Sequence, residues 1–379
     1  MPAGSLHSMG PRCSGSDLPT VGVEEEFLLA DPRTGEPAAR NTAVAAEAGH
    51  RGVTLQLELS SCQVETTSSI ATTSAQLGKE LLGLRRTAAQ AAQACGVRLL
   101  ALGLPPATPH EFPVTDTPRY RQIGARFGMI AHEQGICGCH VHVQVPHRAA
   151  AIHVSNWLRP WLPTLLALSA NSALYRNTDT GFASWRSVLW RRWPAAGAPP
   201  FFPSAEEYDR AVRMLIDAGV ILDPNMIYWD VRPSANFPTV EVRVADVPAT
   251  VAETVLIATL IRAAVIMALH EHTQGDDVGR LPPGALRAAY WMAAHEGLSG
   301  RTLDLINECE SVPARAQLCA LVRRVRPALE ALGEYDRVVE EFERIAAQGN
   351  GAMRQLRAWR RRGEVMDVID EAAVTTLTG

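Results

Sequence analysis

The chain has 379 residues and a mass of 41.0 kDa, with 47% hydrophobic and 20% charged residues, enough for one large domain or two ordinary ones with a sizeable core. A net charge of −4 and a pI near 6.3 exclude a nucleic-acid binder driven by a basic surface. Lys79 is the only lysine, which argues against a lysine Schiff base and a P-loop. The seven cysteines (13, 62, 95, 137, 139, 309 and 319) are irregularly spaced and suggest no disulfide framework, which suits a reducing cytoplasm. Cys137 and Cys139 form C-x-C with no second pair and are read as structural thiols. No apolar run spans a membrane cleanly. Residues 1–19, rich in Gly, Ser and Pro, lack an apolar signal-peptide region and read as a disordered leader.

Val21–Leu29 (VGVEEEFLL) is the first expected strand. Glu24 and Glu26 fall on one face with Gly22. Glu25 falls on the other among Val21, Val23, Phe27 and Leu29, where it needs a sheet edge or a partner. Over Val53–Glu65, Leu55, Leu57 and Leu59 alternate with Gln56, Glu58 and Ser60. Glu65 lies an odd seven residues after Glu58, so a turn or bulge near Ser60–Cys62 is needed to bring both carboxylates to one face. Thr72–Gly96 reads as a helix, Val97–Leu104 as a short strand, Pro105–Pro118 as a loop and Arg119–Gln134 as a helix. The stretch Cys137–Val145 (CGCHVHVQV) alternates Val141, Val143 and Val145 with His140, His142 and Gln144. Ala149–Ser172 is helical but divided by Pro160 and Pro163. Asn171–Pro203 has little periodicity; it reads as a long functional loop holding Arg176, Asp179, Arg186, Arg191 and Arg192. Ser204–Glu207 has capping-box spacing and opens a helix to about Ala218. Strands follow at Met226–Arg232 and Thr239–Val244. Helices are expected at about 249–273, 283–297, 300–311, 312–332 and 334–348. Segregation of strands from helices favours α+β over a doubly wound sheet.

Five strands thus pair an apolar face with a face of Glu, His, Asp or Arg. In one antiparallel sheet the apolar faces would pack on helices. The polar faces would make a single floor of Glu24, Glu26, Glu58, His140, His142, Asp230, Arg232, Glu241 and Arg243, joined by Glu65. So many carboxylates require cations. A mostly oxygen donor set suits Mg²⁺ or Mn²⁺ better than Zn²⁺. Arginines beside metal-binding carboxylates imply an anionic substrate, with phosphate favoured, and so phosphoryl transfer.

The sequence resembles the carboxylate–amine ligase family, glutamate–cysteine ligase type 2-like. The stretches that carry the resemblance are GVEEEF (22–27), LELSSCQVETT (57–67), CGCHVHVQV (137–145), LPTLLALSANS (162–172), DTGFASWR (179–186), YWDVRPS (228–234), PTVEVRVADV (238–247) and GNGAMRQ (349–355). The resemblance implies a glutamine-synthetase-like catalytic fold, a curved antiparallel sheet with helices on its convex face. It implies one catalytic domain over 20–379 with a helical part from about 249. By similarity, Glu24, Glu26, Glu58, Glu65, His140 and Glu241 are metal ligands. His142 lies near nucleotide phosphates, Arg243 faces the transferred phosphoryl group, and Arg186 and Arg232 bind phosphate or carboxylate. The implied reaction uses ATP and Mg²⁺ (or Mn²⁺) to make an acyl phosphate, L-glutamate being the expected donor, which cysteine or another amine converts to an amide. The implied partners are small molecules, not nucleic acid or membrane, and a homodimer is open to such an enzyme. Asn171–Pro203 is expected to help shield the intermediate from water. The chain departs from the family pattern at Trp291-Met292, at His295 and at SALYRNTDTGF (172–182), positions that bear on acceptor and donor. A metal-dependent hydrolase or oxygenase built on the His-x-His strand is the competing class, but such sites need only three protein ligands and one metal, so the many further carboxylates and arginines count against it. A non-catalytic relative is the third.

Overall fold

A computed structural model describes residues 18–379 apart from 109–111, 134, 277 and 283. The expected leader falls almost wholly on residues 1–17, outside the described residues. The strands are β1 (Val21–Ala30), β2 (Gln56–Leu57), β3 (Gln63–Thr67), β4 (Arg98–Leu100), β5 (Gly138–Gln144), β6 (Leu174–Tyr175), β7 (Thr178–Asp179), β8 (Val231–Pro233), β9 (Thr239–Asp246), β10 (Arg301–Leu303) and β11 (Ser311–Pro313). The main sheet runs β2-β3-β1-β5-β9-β8, with β4 paired to the end of β1, and every strand pairing within it is antiparallel. A register shift between Cys139 and Val141 bends β5 beside the site.

The apolar faces of β1, β5 and β9 are buried. Val21, Val23, Val141, Val143, Val240, Val242 and Val244 pack with residues of the helices Arg148–Leu158, Leu162–Ser169 and Val251–Gln274. Val251–Gln274 corrects one expectation, because by length and composition it could cross a membrane. In the fold its apolar stretch is buried inside the protein instead. A capping box of Thr250 and Glu253 starts it, and Glu253 also pairs with the buried Arg354 at 2.8 Å.

Glu25 resolves as a partner rather than an edge. β1 is an inner strand, and Glu25 is fully buried. Arg85, from the helix Ser74–Ala94, grips it with Nε at 3.0 Å and Nη2 at 2.5 Å. Thr254 Oγ1 donates to the same carboxylate at 2.6 Å. Arg85 also donates to the carbonyls of Pro248, Ala249 and Thr376, so every part of its fork is engaged.

Other segments depart from expectation. The strand at Val97–Leu104 is only Arg98–Leu100. The helix expected over 119–134 is broken at Gly128, whose φ of 53° favours glycine. Asn171–Pro203 is not a structureless loop: it holds the β6–β7 hairpin and the helix Trp185–Trp190. The strand at Met226–Arg232 shrinks to Val231–Pro233, after a 3₁₀ turn that Pro224 opens. Residues 300–311 form no helix. Asp304 accepts from the backbone N–H groups of Ile306 and Asn307, a local turn that competes with helix, and β10 and β11 pair around it.

Candidate active site

Strand pairing assembles the floor. Glu26 lies opposite Glu65, Glu24 opposite His140, and His142 opposite Glu241, which in turn faces Arg232. The chain turns at Ser61–Cys62, so β2 doubles back on β3 and brings Glu58 beside Glu65, as their spacing requires. The result is three groups, each with ligand atoms within 4.8 Å of one another: Glu26–Glu58–Glu65, Glu24–Glu65–His140 and Glu24–His142–Glu241. Glu65 belongs to the first and second, and Glu24 to the second and third. They form one row joined by shared carboxylates. His140 and His142, adjacent on one strand face, belong to different groups, which leaves no single His-x-His centre.

Electrostatics divides the row. Burial and the charge of Glu26 push Glu58 up to about 8, and burial with the charge of Glu58 raises Glu65 well above the carboxylate range. Burial would also raise Glu24, but hydrogen bonds from His140 and His142 hold it far below that range. Glu241 is pulled down against its burial by Arg243 and Arg232. Burial and Arg243 lower His140, leaving a neutral imidazole suited to a metal. A mutually repelling oxygen-rich end beside His-containing groups fits divalent cations of the Mg²⁺ or Mn²⁺ class.

The raised carboxyls predict a pH dependence. Glu58 is ordinary when unfolded and sits near 8 when folded, so it favours the folded state fully only below pH 4.5 and loses that contribution as pH rises through 8. Metal-free protein is expected to lose stability on the order of 3 kcal/mol between pH 5 and 8. Glu58→Gln should flatten this fall, as read from unfolding midpoints. An equal fall in the variant would show that Glu58 is not its source.

A cavity of about 150 Å³ adjoins the Glu26–Glu58 end. It is lined by Arg119, Arg186 and Arg243, by Tyr120, Trp190, Trp193 and Tyr228, and by Glu26, Glu58 and His140. The nitrogens Arg186 Nε, Arg243 Nε, Trp190 Nε1 and Trp193 Nε1 are buried without a hydrogen-bond partner. Such donors incur desolvation unless an acceptor is supplied, and an oxygen-rich anion is the complementary ligand. A larger, mostly apolar cavity of about 430 Å³ adjoins the opposite end, where Glu24 and His142 meet Val21, Val23, Ile70, Phe237 and Pro238. Gly22, opposite His142, leaves this row open.

Arg186 is placed by residues that strand periodicity did not flag as functional. Asp246 is fully buried at the end of β9. It accepts from Asn171 N (2.8 Å), Ser172 Oγ (2.7 Å) and Ser184 Oγ (2.9 Å), and lies 3.7 Å from Arg186 Nη1. Gln355 Nε2 donates to Asn171 Oδ1 at 2.8 Å, tying GNGAMRQ to the same junction. The available signal was parity: Asp246 continues the apolar series Val240, Val242, Val244, as Glu25 interrupts that of β1. Gly138 matters for the opposite reason. A Cβ there would lie 2.4 Å from Arg186 Nη2 and 3.3 Å from His140 Nε2. Gly138→Ala is therefore expected to cut turnover by about 10²-fold through misplacement while leaving the unfolding midpoint nearly unchanged. Unaltered turnover would refute this tight placement.

Most of the expected floor residues meet, but not all are equivalent. Asp230 is a correction: its buried carboxyl belongs to none of the three groups and sits beside Tyr290. Arg232 is committed to Glu241 (2.8 Å) and to the carbonyls of Asn225 and Ile227. Arg243 also donates to Glu241, and its Nη1 lies 3.3 Å from His140 Nδ1. His142 Nδ1 lies 3.0 Å from Thr239 Oγ1 and its Nε2 lies 3.5 Å from Glu24. Of the departures from the family pattern, Trp291 stacks on His295 at 4.7 Å and Phe182 meets His295 edge-on, and none of these three lines either cavity.

Solved structures share the overall fold. The glutamate–cysteine ligase of Francisella tularensis, solved in complex with AMP, aligns with a TM-score of 0.72 at 14% identity, covering 95% of this chain and 88% of that one. A bifunctional glutathione synthetase from Pasteurella multocida aligns at 0.64 and 14%, covering 94% and 52%. The fold is thus α+β and glutamine-synthetase-like. The chain belongs to the glutamate–cysteine ligase family 2 (GCS2), whose profile matches residues 20–371. A Mycolicibacterium smegmatis protein named "Putative glutamate--cysteine ligase 2-3" is 63% identical over 362 residues, 96% of this chain and 99% of that protein.

Proposed function

We propose that the chain is an ATP-dependent carboxylate–amine ligase, joining the γ-carboxyl of L-glutamate to cysteine or another amine through an acyl phosphate. The observation that carries this reading is the row of three acidic groups running between two unlike cavities. The apolar cavity suits a purine, with Glu24 and His142 at its inner end. The smaller one suits a dicarboxylate, because its walls carry buried N–H donors that lack acceptors. The three groups would hold Mg²⁺ or Mn²⁺, which when bound supplies charge neutralisation for the phosphates.

The protein's own residues account for the rest. Arg243, between Glu241 and the smaller cavity, offers a fixed positive charge where the γ-phosphoryl group passes to the donor oxygen. Arg186, which lines the same cavity, orients the donor. The carboxylate oxygen bonds to γ-phosphorus and ADP leaves. The amine nitrogen then attacks the acyl carbon, the amide forms, and phosphate departs with the carboxyl oxygen. Trp190, Trp193, Tyr228 and Tyr120 restrict water around the activated acyl group. Trp190 and Trp193 come from Asn171–Pro203, which thus serves as a wall in this reading. We place the enzyme in the cytoplasm, where its cysteines would remain thiols.

Incubation with ATP, Mg²⁺, glutamate and a panel of amines should release ADP and phosphate only when both donor and acceptor are present. No carboxylate- and amine-dependent ADP across a broad panel would sink the proposal.

A further inference from the structure

The arginines of Asn171–Pro203 are sent to different places. Arg186 lines the reaction cavity, while Arg176 and Arg192 share Glu133. Arg191 does neither. Trp190 lines the reaction cavity, and the next residue, Arg191, lines a separate hollow of about 560 Å³. Arg159, Arg287, Tyr290 and the Gly197–Pro200 segment complete its walls.

No aspartate or glutamate lines this hollow, and none of its three arginines has a close ion pair among the described residues; the buried Asp230, beside Tyr290, offsets part of the Arg191 charge and leaves Arg159 and Arg287 uncompensated. Three like charges around one concavity repel unless an anion joins them. Two of them are also held in place. Arg159 Nε donates to Pro199 O at 3.0 Å, which leaves its Nη groups available. The Arg191 guanidinium sits 4.8 Å from the Tyr290 ring centre. Burial lowers Arg159 from the ordinary arginine value, a penalty that a bound anion would relieve. The helix Ala285–Glu296 begins at the same hollow, through Gly284, with no side-chain cap. Its N-terminal dipole adds to a positive potential that the arginines already set.

We propose that this hollow binds a small phosphate-bearing polyanion at a site distinct from the reaction cavity. Guanidinium forks match phosphate oxygens in pairs, and three of them balance the charge of a diphosphate better than that of a single carboxylate. The volume lies in the range of small-molecule sites and exceeds what one inorganic phosphate fills.

The test is calorimetric titration of the full chain, stripped of metal on a chelating resin, with pyrophosphate and separately with citrate. Because the reaction cavity is also rich in arginine, pyrophosphate should bind in two places. R159Q/R287Q should weaken one of the two events by about tenfold or more and spare the other. R243Q should do the reverse. Circular dichroism and the unfolding midpoint verify that each variant is folded. Wild-type stoichiometry and affinity in folded R159Q/R287Q would overturn the site. Citrate binding there as tightly as pyrophosphate would overturn its assignment to phosphate. Neither readout depends on ligase turnover, so failure of this site is distinguishable from failure of the proposed reaction.

Discussion

Glu65→Gln is expected to reduce ATP-dependent ligation by about 10³-fold or more, while making the metal-free protein more stable at pH 8. The turnover effect follows from position: Glu65 is shared by two of the three groups, so one neutral amide impairs both. The stability effect follows from charge. Burial and Glu58 raise the Glu65 carboxyl well above its ordinary value. The folded state thus holds its proton more tightly than the unfolded state does. That advantage is full at low pH and is lost as pH rises, until the ionised group destabilises its surroundings. Glutamine removes the titration. Measuring ADP release with Mg²⁺, and thermal midpoints without metal at pH 5 and 8, checks both halves. Near wild-type turnover refutes the shared-carboxylate site. A lower midpoint than wild type at pH 8 refutes the repulsion account.

The second large effect is far from the chemistry. Arg85→Met should destabilise the protein by about 3–5 kcal/mol, because it strands the fully buried Glu25 without its cation. It also leaves the carbonyls of Pro248, Ala249 and Thr376 without this donor. Adding Glu25→Gln should recover part of the loss, since an uncharged amide is cheaper to bury than an unpaired carboxylate. Urea unfolding of the two single variants and the double variant provides the cycle. Additive losses would show that the pair is not coupled. Arg85 joins β1, the Ser74–Ala94 helix and the end of the helix Val365–Thr376 at one point, so its loss should loosen the sheet from its helical layer.

The sites where local patterning failed share a cause. Residues 300–311 have an apolar content compatible with helix, yet the Asp304 turn outcompetes it. Asn171–Pro203 shows little period because its residues are fixed by distant partners: Asp246 for Ser172 and Ser184, and Gln355 for Asn171 and Ala173. Met226–Arg232 alternates convincingly, but only Val231–Pro233 finds a neighbouring strand. Alternation describes how a strand would display its side chains, not whether a partner is present to complete it.

The sequence by itself determined which side chains share a face. That is a property of the extended backbone, whose period of two places Glu24 with Glu26 and His140 with His142 wherever the strand lies. It therefore made Glu24, Glu26, His140, His142, Glu241 and Arg243 legible as one polar surface, and the spacing of Glu58 and Glu65 demanded the turn that the structure contains. Only the tertiary structure decided how this surface is divided. Register set Glu26 against Glu65 and His142 against Glu241, and so distributed the two histidines between different acidic groups. Packing assigned Glu25 to Arg85, removed Asp230 from the floor and made Asp246 the support of Arg186. Those pairings join residues tens of positions apart, and only the assembled layers bring them together.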